Sequence, residues 1–384
     1  MSPGRTLTIL ILVAMAVVLS GCTAAGAWDL FGQIGAEASG DPPPEDPGVE
    51  FPFDPQDFQY GHFLSFDNSA ADKDLVDFPV LVTLSPARVD YGSIKTDGSD
   101  LQFLDGNTGA ALDHEFEEWN HGGTSRVWVR VPQIDLGSTS DGIWVTYGNS
   151  AATVSENPTG VWNSSYVGVW HLHDDFDDST SFMHHGTNYG SVITPGVVGN
   201  GLSFSGAEYV LMGDTAALDL TGEFTLEAWV YKNLTVEQII LGKTKFPNDI
   251  SYAIGFNKNN DGSGGPFVDI SDDGGSAPGG FVQDPGSEAV GAWMHIAAAH
   301  KNDKLRLYVN GVEVASEESA IPTILPNTWE FTLGGAANGT DAMFSGMLDE
   351  PRVSNKQFGG EWVLAQYLSM TDSYITYGVQ QQLF

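Results

Sequence analysis

The fold of this chain is decided most clearly by the stretch Leu305-Arg306-Leu307-Tyr308-Val309-Asn310-Gly311-Val312-Glu313-Val314. Apolar and polar residues alternate on both sides of Asn310-Gly311, and a period of two places alternate side chains on opposite faces of a strand. The Asn-Gly pair favours a type I′ turn, because both central residues of that turn need a positive φ. The stretch therefore predicts an antiparallel β-hairpin.

Strand patterns continue in front of this hairpin. The run Trp293-Met294-His295-Ile296-Ala297-Ala298-Ala299-His300 is typical of a buried strand, and Phe224-Thr225-Leu226-Glu227-Ala228-Trp229-Val230-Tyr231 alternates again. Four earlier runs have the same character: Phe78 to Leu84, Asp100 to Leu104, Val127 to Val131, and Ile143 to Tyr147. Residues 359–369 instead have the spacing of one short helix. The fold class predicted is all-β, with two β-sandwich domains.

Composition restricts the function. The chain has 384 residues, enough for two to three domains at about 150 residues each. It has 50 Asp and Glu against 15 Lys and Arg, so its formal net charge is −35. So few cations cannot bind a phosphate backbone through counterion release, which argues against a nucleic-acid partner. Attraction of the protein surface to anionic lipid is disfavoured for the same reason.

The N-terminus has the pattern of an export signal. Residues 7–18 form an uncharged apolar run after Arg5, too short to span a bilayer comfortably, and Leu19-Ser20-Gly21-Cys22 follows. This string resembles the bacterial lipobox, which implies diacylation of Cys22, the only cysteine. Acyl chains anchor at about 0.8 kcal/mol per buried CH₂. Thr23, rather than Asp, implies the outer membrane in a Gram-negative cell. The alternative is a cleaved secretory signal with an incidental cysteine.

An acidic, proline-rich stretch separates this signal from the folded part. Proline stiffens Asp41-Pro42-Pro43-Pro44-Glu45-Asp46-Pro47-Gly48, and its carboxylates repel one another, so it is predicted to be a disordered spacer. We therefore divide the chain into a signal peptide (1–21), a lipidated linker (22–57) and two β-domains (58–150 and 160–384).

The first β-domain resembles an uncharacterised bacterial and archaeal family, DUF2341. The resemblance rests on Phe78-Pro79-Val80-Leu81-Val82, Asp97-Gly98-Ser99-Asp100-Leu101-Gln102-Phe103, His114-Glu115-Phe116-Glu117, Val127-Trp128-Val129-Arg130-Val131-Pro132 and Val145-Thr146-Tyr147-Gly148-Asn149. It implies a companion β-domain of exported proteins and no catalytic residues.

The second β-domain resembles the laminin-G-like, concanavalin A-like jelly roll of bacterial exported proteins. The resemblance rests on Val169-Trp170-His171-Leu172, Asp178-Ser179-Thr180, Gly201-Leu202-Ser203-Phe204-Ser205-Gly206, the strand from Phe224, the strand from Trp293, the hairpin quoted above, and Phe344 to Ser354. It implies two packed antiparallel sheets that recognise glycans or proteins, often with a structural Ca²⁺. Enzymes are a minority on this fold.

Two sets of carboxylates are candidates for catalysis. Glu115 and Glu117 share one face of a strand, and paired carboxylates are what glycoside hydrolysis needs. Their ionisable neighbours favour an exposed strand instead, and no E-x-D-x-x-E string typical of a glucanase occurs. Glu227 stands alone in its strand and is interpreted as a solvent-face or metal-supporting residue.

Metal sites are predicted with oxygen ligands. Asn257-Lys258-Asn259-Asn260-Asp261-Gly262 matches half of a Ca²⁺ loop but lacks the Glu at the twelfth position, which favours a hairpin tip. The resemblance places a structural Ca²⁺ at Asp174, Asp178 and Asp349. His171 and His173 share a strand face, with His184 and His185 near in sequence, and a Zn²⁺ site there would need a third ligand. Structural histidines are the preferred interpretation.

The function predicted is non-catalytic binding of an extracellular glycan or surface protein by a lipoprotein anchored to the cell envelope. The membrane is contacted through the lipid anchor only. Gly-rich loops between residues 257 and 284 are the first candidates for ligand contact. The alternatives are a glycoside hydrolase or lyase on the same fold, and a structural or adhesion component of the envelope.

Overall fold

The computed structural model describes residues 50–384 except 155, 246–247, 257–263, 276–278, 287–289, 303 and 338. Residues 50–384 form one compact unit. The described strands are β1 (Tyr60–Phe66), β2 (Leu75–Leu84), β3 (Gln102–Asp105), β4 (His114–Glu118), β5 (Ser125–Ile134), β6 (Gly142–Tyr147), β7 (Tyr166–Val169), β8 (Thr187–Tyr189), β9 (Val192–Pro195), β10 (Asn200–Ser205), β11 (Tyr209–Leu211), β12 (Phe224–Lys232), β13 (Gln238–Thr244), β14 (Ile250–Phe256), β15 (Pro266–Ile270), β16 (Phe281–Gln283), β17 (Trp293–Lys301), β18 (Lys304–Val309), β19 (Val312–Glu318), β20 (Thr332–Leu333), β21 (Ser345–Ser354), β22 (Ile375–Tyr377) and β23 (Gln381–Gln382). The helices are α1 (Pro158–Val161) and α2 (Gly360–Met370), with 3₁₀ turns at Pro55–Asp57, Tyr91–Ser93 and Ala216–Leu218.

The N-terminal sandwich consists of two antiparallel sheets. A five-stranded sheet has the order β22-β1-β6-β3, with β23 also paired to β1, and a three-stranded sheet has the order β2-β5-β4. Val127 and Val129 of β5 pack with Leu64 and Phe103 of the five-stranded sheet in one apolar cluster. Because side chains alternate along β5, Trp128 lies on the opposite face of the three-stranded sheet.

The jelly roll consists of the two larger sheets. An eight-stranded sheet has the order β19-β18-β17-β12-β21-β10-β9, with β7 paired to β21, and a seven-stranded sheet has the order β16-β15-β14-β13-β20-β11-β8. Leu226 and Val230 of β12 pack against Ile254 and Val268 of the seven-stranded sheet in the largest apolar cluster. This two-sheet arrangement confirms the fold class predicted from the sequence.

The N-terminal sandwich and the jelly roll share an apolar cluster. The cluster that fills the N-terminal sandwich also contains Trp162, Tyr166 and Trp229, and Trp362 from α2. The three-stranded sheet is therefore buried on both faces, with the outer face of the eight-stranded sheet against its second face. Charged side chains at the centre of this contact are removed from water, as the 1% exposure of Arg352 shows.

The hairpin at Asn310-Gly311 is confirmed. Asn310 and Gly311 have φ values of 50° and 80°, and they join β18 to β19. The predicted helix is also confirmed, since α2 begins one residue after the expected start. No helix among the described residues is long and apolar enough to cross a bilayer.

The C-terminal residues return to the first sheet. Leu64 of β1 pairs with Tyr377 of β22, and Tyr60 pairs with Gln382 of β23. The last strands of the interval 160–384 thus complete a sheet that begins in the interval 58–150.

Candidate functional site

The candidate site lies where β4 of the N-terminal sandwich meets β7 and β21 of the jelly roll. Glu115 of β4 pairs with Trp128 of β5, so Glu115 and Glu117 lie on the face of the three-stranded sheet that is turned to the jelly roll. Both residues are buried, with 7% and 6% of their surface exposed. The interpretation of this strand as exposed is wrong, because a second domain covers the face that carries both glutamates.

A bulge in β21 supplies the opposing side chains. Asp349 pairs with Trp229 and Arg352 pairs with Glu227, so two residues of β21 oppose one of β12 between these pairs. Glu350 sits in this bulge with a φ of 53°. Because of the extra residue, Asp349 and Arg352 are three positions apart and yet lie opposite Trp229 and Glu227, which share one face of β12. Glu350, in the bulge, contacts Arg352 on this side of the strand.

His171 completes the cluster. β7 pairs with β21 through Val169 and Arg352, and Trp170 enters the core of the jelly roll, so the next side chain emerges on the outer face. Nδ1 of His171 lies 2.8 Å from Oε2 of Glu117 and 2.8 Å from Oε1 of Glu350. Among the described residues, these three form the one group of acidic and histidine side chains whose ligand atoms all lie within 4.8 Å of one another.

Glu115 lies beside Nε2, the other nitrogen of the His171 imidazole. Its Oε2 lies 3.3 Å from Nε2 of His171. Trp162 Nε1 donates to Oε2 of Glu115 at 2.7 Å, and Ser179 Oγ donates to Oε1 at 2.6 Å. These bonds fix the carboxylate, which in turn fixes the orientation of the imidazole ring.

Arg352 is the cation of the site. It is 1% exposed, and its guanidinium donates to Oε2 of Glu350 at 2.6 Å and to Oε1 of Gln366 in α2 at 2.7 Å. Its Cζ lies 4.4 Å from the ring centroid of Trp128 and 4.8 Å from that of Trp162. One guanidinium therefore joins the jelly roll, α2 and the three-stranded sheet.

Burial and charge shift the acids of the site in opposite directions. Burial, countered in part by His171, raises the pKa of Glu117 to about 7. Burial and the neighbouring Glu350 raise the pKa of Asp349 well above its usual range. Burial would also raise the pKa of Glu350, but His171 and Arg352 bring it below its ordinary value. Negative charge is thus stabilised at Glu350 and costly at Glu117 and Asp349.

The three aspartates predicted to bind Ca²⁺ have different partners. Oδ1 of Asp178 accepts from the N–H groups of Val169 and Thr180, and Oδ2 accepts from the N–H of His184 and the hydroxyl of Thr180. All four acceptor positions are thereby occupied, so this carboxylate closes its own loop.

Asp349 and Asp174 lie in other surroundings. Oδ2 of Asp349 accepts from the N–H groups of Val197 and Val198, beside the candidate site, whereas Asp174 is exposed. The calcium site on Asp174, Asp178 and Asp349 stays a prediction.

The histidines are separated by the fold. His171 meets two glutamates that are distant in sequence. His173 Nδ1 accepts from the N–H of Asn200 and lies 3.7 Å from Oε1 of Glu117. His184 Nε2 bonds to the hydroxyl of Thr215, and His185 Nδ1 lies 3.0 Å from Oδ1 of Asp177. A metal ion at His171 would therefore take its other protein ligands from β4 and β21, and not from the other histidines.

Glu227 is not a solvent-face residue. It is 2% exposed, and its Oε2 lies 3.4 Å from Nε2 of His295. The N-terminal sandwich and α2 cover this face of β12, which the alternation of a single strand cannot show.

Several predictions concern residues outside the described part of the chain. These are the signal peptide, Cys22, the linker up to residue 49, and the loop from Asn257 to Gly262. Of the Gly-rich segments, Asp272 to Gly275 is described: Ser271 Oγ lies 3.2 Å from Oδ1 of Asp273 and accepts from the N–H of Gly274. These bonds are those of a polar turn.

The sequence patterns did not reveal one surface feature, a pair of stacked tyrosines. The rings of Tyr189 in β8 and Tyr209 in β11 are 4.7 Å apart with an interplanar angle of 12°. Tyr189 is 46% exposed, and Val192 of β9, the next strand along the chain, is 64% exposed. The pair lies at an edge of the seven-stranded sheet, where Tyr189 is about half exposed to solvent.

The fold defines a class of protein, a β-sandwich domain joined to a two-sheet jelly roll. Residues 204–364 match the family described as the concanavalin A-like lectin/glucanases superfamily. Residues 97–185 match the family described as a domain of unknown function, DUF2341. The combination of these two domains in one chain is the one predicted from the sequence. No curated protein matches the chain.

Solved structures resemble part of the chain. Domain 4 of AbnA, a GH43 extracellular arabinanase from Geobacillus stearothermophilus solved with arabinotriose, shares 20% identity over 53% of this chain and 98% of its own, with a TM-score of 0.43. The binding domain of botulinum neurotoxin serotype C1 shares 12% identity over 54% of this chain, with a TM-score of 0.43. This chain spans 52% of that structure. Both are likenesses of fold alone.

Proposed function

We propose that the jelly roll binds an extracellular glycan or a surface protein without catalysis, and that a diacylated Cys22 holds the chain at the cell envelope. The observation that carries the binding function is the match of residues 204–364 to the lectin/glucanase superfamily. The anchor rests on the sequence Leu19-Ser20-Gly21-Cys22.

The burial of the acidic side chains favours binding over hydrolysis. The carboxylates of Glu117 and Glu350 are 0% exposed, and Glu227 is 2% exposed. A general acid or nucleophile must come within hydrogen-bond reach of the glycosidic bond. A polysaccharide cannot reach these groups while the N-terminal sandwich covers them.

The stacked tyrosines supply a surface suited to a sugar. The apolar face of a pyranose ring packs on an aromatic ring, and the Tyr189–Tyr209 pair presents such a face at an edge of the jelly roll. The stacking fixes both rings, so a ligand loses little side-chain entropy on binding them. We therefore place the first contact with a glycan at this pair.

The binding proposal is tested with the full chain on a glycan array and by capture of envelope proteins, with and without EDTA. We expect binding to a glycan or surface protein. For a glycan, Tyr189→Ala weakens it about tenfold, since loss of one aromatic contact costs about 1.4 kcal/mol. Phe384→Ala is the matched control, because Phe384 is 74% exposed and lies outside the jelly roll. Absence of binding, or release of reducing ends from a polysaccharide, would overturn the proposal.

The anchor is tested by Cys22→Ala. Loss of the thiol removes the acylation site, so we expect the variant in the soluble fraction and the wild type in the detergent-extracted membrane fraction. Equal membrane recovery of both proteins would contradict the anchor and leave the binding function untouched.

A further inference from the structure

We propose that Glu117, His171 and Glu350 form a binding site for a divalent transition-metal ion of the Zn²⁺ class, which joins the N-terminal sandwich to the jelly roll. The site is independent of the glycan surface and of the predicted calcium site, since it uses none of their residues.

Nδ1 of His171 has one proton to share between two carboxylates. Two carboxylate oxygens, from Glu117 and Glu350, each lie 2.8 Å from this one nitrogen. An imidazole nitrogen carries one proton, and the hydrogen-bond geometry assigns it to Glu350. Glu117, whose side chain is 0% exposed, is then left without a well-aligned hydrogen bond at either oxygen. A metal ion at Nδ1 would bind both carboxylates at once.

The excess of acid around one imidazole also favours a cation. The carboxyl groups of Glu115, Glu117 and Glu350 all face His171, and each of these side chains is at most 9% exposed. Arg352 bonds to Glu350 alone among these three, and a buried negative charge without a partner is costly. A divalent ion at Nδ1 would supply positive charge to Glu117 and Glu350 together, while the proton on Nε2 still faces Glu115.

The surroundings match those of a bound histidine. A metal-ligating histidine usually presents its other nitrogen to a carboxylate, which fixes the ring and raises its basicity. Oε2 of Glu115 lies 3.3 Å from Nε2 of His171, and Trp162 and Ser179 hold Glu115 in place. Arg352 similarly holds the second oxygen of Glu350 and leaves Oε1 for the ion.

The donor set selects the metal. Ca²⁺ takes six to eight oxygen ligands, whereas Zn²⁺ accepts imidazole nitrogen and carboxylate oxygen in sites of four ligands. Bonds of 2.0–2.1 Å in a tetrahedron place the ligand atoms about 3.3 Å apart, so the 2.8 Å contacts need to open by about 0.5 Å. Three protein ligands leave the fourth position to water.

The test is titration of the metal-stripped full chain with Zn²⁺, followed by calorimetry and elemental analysis. We expect one Zn²⁺ per chain and a rise in melting temperature. Glu117→Gln keeps the shape of the side chain and should weaken binding at least tenfold. Glu118→Gln is the matched control on the same strand. Glu118 forms a 2.5 Å ion pair with Arg126 and does not face the site, so this variant should bind Zn²⁺ as the wild type does.

Two further results decide the proposal. Co²⁺ added to the wild-type protein should give the visible absorption of a four- or five-coordinate site with a nitrogen ligand, a readout that does not depend on the stability of any variant. No stoichiometric Zn²⁺ binding, equal affinity in Glu117→Gln, or an octahedral Co²⁺ spectrum would each overturn it.

Discussion

Replacement of Arg352 by Met tests how the two domains are held together. Met approximates the length and apolar volume of the side chain but removes its charge. The change leaves Glu350 without its 2.6 Å partner and Gln366 without its 2.7 Å donor. Removal of one partner of a buried ion pair costs about 3–5 kcal/mol, because the remaining charge stays buried. We expect the free energy of unfolding to fall by about 4 kcal/mol.

The assay is equilibrium unfolding in urea, followed by circular dichroism in EDTA. Adding Glu350→Gln to Arg352→Met should recover part of the loss, because the uncompensated charge is gone. The control is Arg126→Met: Arg126 and its partner Glu118 are 26% and 27% exposed, so this change should cost at most about 1 kcal/mol. If Arg352→Met costs no more than Arg126→Met, the reasoning is refuted.

Two further predictions concern loop closure and acid sensitivity. Asp178→Ala leaves three N–H groups without their acceptor, so the free energy of unfolding in urea should fall by about 3 kcal/mol, in Ca²⁺ and in EDTA alike. Asp174→Ala, the control, should leave the free energy of unfolding unchanged. A loss seen only with Ca²⁺ would contradict the loop-closing role. Burial lowers the pKa of His300, whose Nδ1 bonds to the carbonyl of Gly222 at 3.0 Å. As the pH falls, His300 is therefore protonated in the unfolded chain at a higher pH than in the folded protein. The free energy of unfolding decreases as the pH falls below about 6.5, by at most about 1.4 kcal/mol per pH unit. His300→Gln keeps a donor without the titration, so its free energy of unfolding should fall less than that of the wild type between pH 7 and pH 5; equal slopes would exclude this contribution.

The local sequence pattern was sufficient to predict those elements whose conformation depends on residues close together in the chain. Asn310-Gly311 specifies its turn because the conformation with positive φ is a property of the pair itself. The strand from Phe224 shows its core face, because Phe224, Leu226, Ala228 and Val230 recur at every second position. The helix α2 was also predicted within one residue.

Pattern failed where a second domain decides burial. Alternation in β4 marks Glu115 and Glu117 as one face, but it cannot show that β21 lies against that face. The same limit applies to Glu227. The bulge at Glu350 adds a residue to β21 that no period predicts, and the pairing of β22 with β1 joins strands about 310 residues apart. The candidate site depends on all of these long-range contacts.

The most direct test of the centre between the two domains is X-ray diffraction at the zinc absorption edge, from crystals of the protein grown with Zn²⁺. The account predicts one strong anomalous peak bonded to Nδ1 of His171 and to oxygens of Glu117 and Glu350. A map with no peak at these atoms, and with Glu117 hydrogen-bonded to the protein instead, would contradict it.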